Sequence, residues 1–148
     1  MQGYVCKVCG YIAIDGSAPD NCPVCHAPKT SFTDKLDAIK TAGGPSLGEP
    51  EKKHIPAITV VKKCGLIPDG CTDVHVKVGE ITHPMTVEHQ IVHIDCYLDK
   101  KFVARIILTP EKLNPAGALH MKVNSGVFTA ISLCNLHGAW IKEVDLVA

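Results

Sequence analysis

After Glu51, short apolar segments alternate with turn residues along the chain. Val74, Val76 and Val78 alternate with His75 and Lys77, the pattern of a strand with one buried and one solvent-facing side. Short strands at this spacing predict a mainly β fold, a seven-stranded antiparallel β-sandwich. The seven segments are residues 54–63, 72–80, 87–98, 102–109, 118–123, 126–134 and 141–147. A tight hairpin is expected at residues 98–102.

The first third of the chain differs from the rest in residue composition and in the structure that it predicts. Residues 1–34 are rich in turn residues and hold four of the eight cysteines. A brief helix is predicted over residues 34–42, followed by three Gly and two Pro within residues 43–50. We therefore predict three parts: a small metal-knuckle domain at 1–34, a short helix and Gly/Pro linker at 35–50, and the sandwich at 51–148.

The composition and charge of the chain argue against nucleic-acid binding and membrane insertion. The 148 residues carry 15 Lys+Arg and 15 Asp+Glu, so the net charge is zero and no basic field for nucleic acid is expected. Neither a secretory signal pattern nor an apolar run of about 20 residues is found, which favours a soluble, cytoplasmic protein without membrane contact. Eight Cys and eight His in such a chain indicate metal ligands rather than disulfides.

Two Cys-x-x-Cys pairs stand near the N-terminus: Cys6 with Cys9, and Cys22 with Cys25. Four thiolates suit either zinc or iron, and the spacing alone leaves a structural zinc ribbon as an equal alternative. Gly10 after the first pair is expected to adopt a positive φ. The run Cys-x-x-Cys-Gly-Tyr with Cys-Pro-x-Cys resembles the rubredoxin-like module of rubrerythrins. That resemblance implies an electron-transferring Fe(Cys)4 centre, with zinc as the alternative metal.

A second group of ligand-type residues lies within 51–140. Its segments contain His54, then His83 and His89 in His-Pro-Met-x-x-x-His, then Cys134 and His137 in Cys-Asn-x-His-Gly-x-Trp. From spacing alone these residues predict a mixed His/Cys metal site without a fixed ligand set. Together the motifs resemble the superoxide reductases, the neelaredoxin and desulfoferrodoxin family. The resemblance implies an immunoglobulin-like sandwich and an iron held by the four histidines and the Cys134 thiolate.

The same resemblance implies a reaction and its partners. Superoxide is reduced to hydrogen peroxide at the ferrous Fe(His)4(Cys) site, with electrons from an external donor such as a rubredoxin or its reductase, by way of the rubredoxin-like centre. A homo-oligomer, dimer or tetramer, is expected. Two alternatives stay open: superoxide dismutation at the same iron, and a non-catalytic electron carrier or binding module with structural metals.

Two charged residues before His54 carry further expectations. The family reads Glu-Lys-His here, so Lys53 inherits the role of the cation that attracts superoxide and assists protonation. Lys52 occupies the place of the family's glutamate, and Glu51 lies one residue further back. Glu51 is expected to close the sixth iron position only if the loop bulges. Asn135 is a hypothetical tuner of the Cys134 sulfur.

Three cysteines remain outside both motifs: Cys64, Cys71 and Cys96. Because the number is odd, at least one is a free thiol or pairs between chains. Cys64 and Cys71 flank a plausible turn, and a disulfide between them is a minor alternative in a reducing cytoplasm. Cys96 lies in an apolar strand and is expected to be a packing residue.

Overall fold

The computed structural model describes residues 1–147, and strands dominate it. Strands account for 44% of the residues and helix for 6%, which confirms the mainly β class. A 3-10 turn at Lys29–Ser31 precedes β3. In chain order the elements are β1 Gly3–Cys6, β2 Ile12–Ala13, β3 Phe32–Lys35, β4 Ile39–Lys40, α1 Glu49–His54, β5 Pro56–Val61, β6 Thr72–Val78, β7 Ile91–Leu98, β8 Lys101–Ile107, β9 Ala116–Met121, β10 Val127–Cys134 and β11 Gly138–Asp145.

Two sheets face each other across the main core. The smaller has the order β5-β6-β9, and the larger has the order β4-β11-β10-β7-β8. The β6 valines point inward and are almost fully buried, whereas His75 and Lys77 are exposed, as the alternation predicts. They pack against β7 and β10 of the larger sheet, where Ile94 and Phe128 are fully buried. Burial of this apolar surface is the main force that joins the sheets.

The hairpin expected at residues 98–102 joins β7 to β8. Asp99 and Lys100 occupy its turn with φ of 48° and 67°. Two successive left-handed residues form a type I′ turn, whose twist matches that of the flanking strands. The Asp99 carboxylate also accepts a hydrogen bond from the backbone N–H of Val127 at 2.9 Å. This bond ties the hairpin to the start of β10.

The helix predicted over residues 34–42 is wrong. Residues up to Lys35 belong to β3, and Ile39 and Lys40 form β4, which pairs parallel with Ala139 and Trp140 of β11. A nine-residue helix is marginal on its own, whereas Ile39 is only 1% exposed against the sheet edge. The two sheets contain β5 to β11, one strand for each of the seven predicted segments, and β4 adds a further strand at the edge of the larger sheet. The three-part division at residues 34 and 50 stays a prediction.

The N-terminal strands pack on the outer face of the larger sheet. β1, β2 and β3 form a separate small sheet, and Tyr11 stacks on Tyr97 of β7 with 5.8 Å between ring centroids. The Tyr97 hydroxyl donates to the Ile12 carbonyl at 2.7 Å. Since β7 is covered on both faces, its residues are buried almost continuously instead of alternating. No helix within residues 1–147 is long and apolar enough to cross a membrane.

Candidate metal centres

The four N-terminal cysteines converge on one point. All four sulfur atoms lie within 4.8 Å of one another. The Sγ atoms are 3.7 Å apart for Cys6 and Cys25, and 3.6 Å apart for Cys9 and Cys22. A tetrahedral metal with bonds of about 2.3 Å to sulfur requires sulfur separations of about 3.8 Å. The four cysteines therefore fit one tetrahedral ion.

Two matching turns bring the cysteine pairs to that point. The N–H of Gly10 donates to the Cys6 carbonyl, and the N–H of His26 donates to the Cys22 carbonyl, both at 2.9 Å. Gly10 has φ of 79°, as predicted, and His26 takes the same conformation at 67°. Desolvation raises the pKa of the Cys9 thiol to about 12. A bound cation is what allows such a thiol to stay ionised near neutral pH.

Four histidine rings form a closed square at the open end of the sandwich. Going around it, ring centroids are 4.8 Å apart for His54 and His83, 4.6 Å for His83 and His89, 5.1 Å for His89 and His137, and 5.0 Å for His137 and His54. The diagonal from His54 to His89 is 6.3 Å. Ligand atoms of His54, His89, His137 and Cys134 lie within 4.8 Å of one another.

Hydrogen bonds fix which nitrogen two of the four rings present to the centre of the square. The Nδ1 atoms of His54 and His83 each lie 2.7 Å from a backbone carbonyl, of Pro50 and Pro84 respectively, so each Nδ1 carries the proton. The Nε2 atoms of these two rings and of His89 are buried and have no hydrogen-bond partner among the described residues. Buried, unpartnered nitrogens in neighbouring histidine rings are typical of metal ligands with an oriented tautomer.

Burial keeps these imidazoles neutral. Desolvation lowers the pKa of His83 to about 4 and also lowers the pKa values of His54 and His89. Neutral imidazole is the form that binds a metal, so the rings need no proton loss near pH 7. His54 is further fixed by its carbonyl, which accepts a hydrogen bond from the Ser132 hydroxyl at 2.9 Å.

The turn from β10 to β11 supplies the remaining two ligand atoms. Cys134 ends β10 and is buried, and its Sγ lies 3.7 Å from Nδ1 of His137. Gly138 closes the turn with φ of 80°. Asn135 bonds elsewhere: its side chain accepts from the N–H of Gln90 and donates to the Glu88 carbonyl, both at 2.9 Å. Asn135 therefore anchors the His89 segment and makes no side-chain bond to the Cys134 sulfur.

A cavity opens onto His54, His89 and His137. Lys53, to which the family resemblance assigns the role of the assisting cation, lines this cavity, and its Nζ lies 3.0 Å from Oε1 of Glu49. Lys40 lines it too: its Nζ donates to the His137 carbonyl at 2.9 Å and lies 5.2 Å from the centre of a Trp140 ring. Trp140 stacks on His54 at 4.8 Å and 18°. The mouth of the site thus carries two ammonium groups.

The Glu51 carboxylate binds backbone groups at the start of α1. It accepts the backbone N–H groups of Gly43 at 2.7 Å and Gly48 at 2.9 Å, which lowers its pKa. It closes the start of α1 and is not among the residues that line the cavity. The expectation that Glu51 reaches the iron is not supported by this geometry. The carboxylate at the mouth belongs to Glu49.

Sequence reasoning missed Lys40 and Glu49. Lys40 lies in the segment predicted as helix, and it arrives at the site only because β4 pairs with β11. Glu49 lies in the predicted linker, and one turn of α1 sets it beside Lys53. A signal for Glu49 existed, because a Glu four residues before a Lys is the favourable order of a helical ion pair.

Comparison with known proteins yields matches along most of the chain. A family model described as desulfoferrodoxin matches residues 47–143, and the rubredoxin-like domain of rubrerythrin matches residues 4–33. A superoxide reductase of Pyrococcus abyssi is 36% identical over 106 residues, covering 64% of this chain and 88% of the relative. A desulfoferrodoxin homolog of Archaeoglobus fulgidus is 31% identical over 140 residues, covering 95% of this chain and 94% of the relative.

A solved structure shares the architecture. A variant of the superoxide reductase (neelaredoxin) of Ignicoccus hospitalis superimposes with a TM-score of 0.59 at 30% identity. The match covers 72% of this chain and 91% of that protein.

Proposed function

The chain belongs to the desulfoferrodoxin family, and from this premise we propose that it is a superoxide reductase, which adds one electron to superoxide and releases hydrogen peroxide. The observation that carries the proposal is the closed square of four imidazoles with the Cys134 sulfur beside it. The buried, unpartnered Nε2 atoms support an iron bound by His54, His83, His89, His137 and Cys134.

These five residues would hold a ferrous ion, which would supply the single electron when bound. Four neutral imidazoles and one thiolate would leave a ferrous centre with a net charge of +1, which would favour the approach of an anion. The Cys134 thiolate would donate electron density to that ion and so favour release of the electron. Cys134 and His137 come from one turn and the other ligands from two further segments. The fold, rather than any single motif, therefore holds the square.

Lys40 and Lys53 act on the substrate through charge and protons. Both line the cavity that opens onto three of the histidines, so both raise the local concentration of superoxide. Two protons must reach the product before it leaves as hydrogen peroxide. We assign their delivery to water held by these ammonium groups. Lys53 is oriented by Glu49, and Lys40 by the His137 carbonyl.

The N-terminal centre provides a route for electrons. Gly10, which follows Cys9, lies close to Leu133, because a Cβ added at Gly10 would be 3.8 Å from Cδ2 of Leu133. Leu133 directly precedes Cys134 in the chain. The Arg105 guanidinium also donates to the Cys9 carbonyl at 2.8 Å. We propose that an external donor, such as a rubredoxin or its reductase, reduces the iron of the N-terminal centre, which then passes electrons toward Cys134. A homo-oligomer and a cytoplasmic location stay predictions, and the lack of a disulfide among the described residues suits a reducing compartment.

Peroxide yield is the direct test of the reductase. Known amounts of superoxide are added to anaerobically reduced protein without a donor, with correction for spontaneous dismutation. We expect one peroxide per superoxide, with oxidation of the catalytic iron in step. One peroxide per two superoxides, over many turnovers without net oxidation, would establish a dismutase instead. No reaction at all would leave an electron carrier.

The relay has its own test. Cys9→Ser removes one ligand of the N-terminal iron and should slow re-reduction of the catalytic iron by an external donor. The control is the same variant reduced chemically, whose reaction with superoxide should match that of the wild type. Equal rates of donor-driven re-reduction in variant and wild type would rule the relay out.

A further inference from the structure

A third cluster of ligand-type side chains lies outside both iron sites. It consists of Cys64, Cys71, Asp73 and His120, whose ligand atoms all lie within 4.8 Å of one another. Cys64 and Cys71 belong to the loop between β5 and β6, Asp73 is the second residue of β6, and His120 lies on β9. None of the four takes part in the chemistry proposed above.

The separations match those of ligands around one small ion. Nδ1 of His120 lies 3.3 Å from the Cys64 sulfur and 3.8 Å from the Cys71 sulfur, and the Cys71 sulfur lies 3.7 Å from Oδ1 of Asp73. A tetrahedral zinc site requires ligand separations of about 3.3 to 3.8 Å. The contact from His120 to Asp73, at 2.7 Å, must widen by roughly half an ångström.

The backbone prepares this arrangement. Asp73 and His120 are paired across the β6–β9 ladder, so their side chains share one face of the sheet at a fixed spacing. In the loop, the N–H of Ile67 donates to the Cys64 sulfur at 3.3 Å, a bond that stabilises a thiolate. The two cysteines are seven residues apart, and the loop between them returns the second to the first.

The loop itself has little else to hold it. Leu66 and Ile67, at its tip, are 71% and 48% exposed. Cβ atoms added at Gly65 and Gly70 would meet nothing within 4 Å. A segment that buries so little apolar surface gains order mainly from a cross-link.

We propose that Cys64, Cys71, Asp73 and His120 bind one zinc ion, which fastens the β5–β6 loop to the smaller sheet. Two sulfurs, one imidazole and one carboxylate are the donor set that zinc accepts in tetrahedral sites. Four protein ligands leave no free position, so the role is structural. The site is separate from the reductase centre, because it shares no residue with it.

A disulfide between Cys64 and Cys71 is the competing outcome. It would consume both thiols and require a two-electron oxidant, and both cysteines are free thiols in the structure. The two outcomes differ in mass, in thiol count and in metal content, so one experiment separates them.

The test uses the full chain with both irons in place, reduced and kept anaerobic. The protein is incubated with Zn²⁺, freed of unbound metal by gel filtration, and assayed for zinc and iron per chain. We expect one zinc in addition to an unchanged two irons. Cys71→Ser and His120→Ala should each lose that zinc. The matched control is His75→Ala, which removes another exposed histidine of the smaller sheet, on β6, and should retain it.

Three results would overturn the proposal: a wild type that holds no additional zinc, variants that hold as much zinc as the wild type, or a Cys64–Cys71 disulfide in the reduced preparation. A second readout covers the structural role, since zinc should slow proteolysis within the loop of the wild type and not of His120→Ala. Peroxide yield should be the same for all of these proteins. A failed reductase assay and a failed zinc assay are therefore distinguishable.

Discussion

Arg105 holds the N-terminal unit against the larger sheet, and Arg105→Met tests that contact. Its guanidinium makes two bonds to the Asp95 carboxylate, at 2.6 and 2.8 Å, and a third to the Cys9 carbonyl at 2.8 Å. The side chains of Arg105 and Asp95 are only 10% and 2% exposed. Methionine retains the volume but leaves the Asp95 charge buried, with only the neutral His93 ring, its Nε2 at 3.6 Å, close by.

The expected cost follows from that burial. Breaking one partner out of a buried ion pair costs about 3 to 5 kcal/mol, a large part of the roughly 5 to 15 kcal/mol that stabilises a domain. With a urea dependence of about 2 kcal/mol per molar, the unfolding midpoint should fall by about 2 M. The double variant Asp95→Asn with Arg105→Met should recover most of this loss, because no unpaired charge remains.

The assay is urea unfolding followed by Trp140 fluorescence, on proteins with equal iron content. Lys101→Met is the matched control, because it removes an exposed ion pair between the same two units, Lys101 Nζ to Asp15 at 3.5 Å. That pair should contribute no more than about 1 kcal/mol. A midpoint for Arg105→Met that equals that of Lys101→Met would refute the argument that burial makes the Arg105 contact strong.

Three further predictions concern the catalytic site and its surroundings. Cys134→Ser should slow the reaction with superoxide by more than about 100-fold, since loss of even a residue that hydrogen-bonds a metal ligand lowers activity or metal affinity 10- to 100-fold. Stopped-flow kinetics measure this rate. An unchanged absorption of the N-terminal iron centre would show that the variant is folded. Lys40→Met and Lys53→Met should each lower the second-order rate constant by about three- to tenfold and weaken its dependence on ionic strength; salt dependence equal to that of the wild type would contradict the steering role. Burial lowers the pKa of His93 from 6.5 to about 4. Between these pH values His93 is protonated in the unfolded chain but not in the folded chain. The free energy of unfolding should therefore fall by up to about 3 kcal/mol as the pH drops from 6.5 to 4. In His93→Gln this part of the pH dependence should vanish, as measured by urea unfolding at each pH.

Local pattern predicted the strands of the sandwich well. Alternation in β6 gave the correct buried face, and the turn residues at 98–102 gave the hairpin. These features depend on neighbours within a few residues, so the sequence contains them directly. The segment 34–42 failed for the opposite reason. Its structure is set by an edge of β11 that lies about 100 residues further along the chain.

The metal motifs show the same division. The N-terminal centre can be predicted from local spacing, because a tight turn brings each Cys-x-x-Cys pair to one ion independently of the rest of the chain. Its four residues are Cys6, Cys9, Cys22 and Cys25. Family resemblance supplied the four histidines and Cys134, which spacing alone left undecided. The square into which the rings assemble is made by the sheet ends and by backbone carbonyls that fix the tautomers.

The sequence, together with the family resemblance that its motifs carry, predicted the mainly β fold, two sets of ligand residues and the chemistry that they would support. Only the tertiary structure shows that Lys40 lies beside Lys53 at the mouth of the cavity, and that the Glu51 carboxylate binds backbone N–H groups outside it. The same holds for the approach of Cys64 and Cys71 to Asp73 and His120. The physical reason is distance along the chain. Ligand types and short spacings are local and can be read in order, whereas contacts between distant strands depend on which surfaces the hydrophobic core brings together.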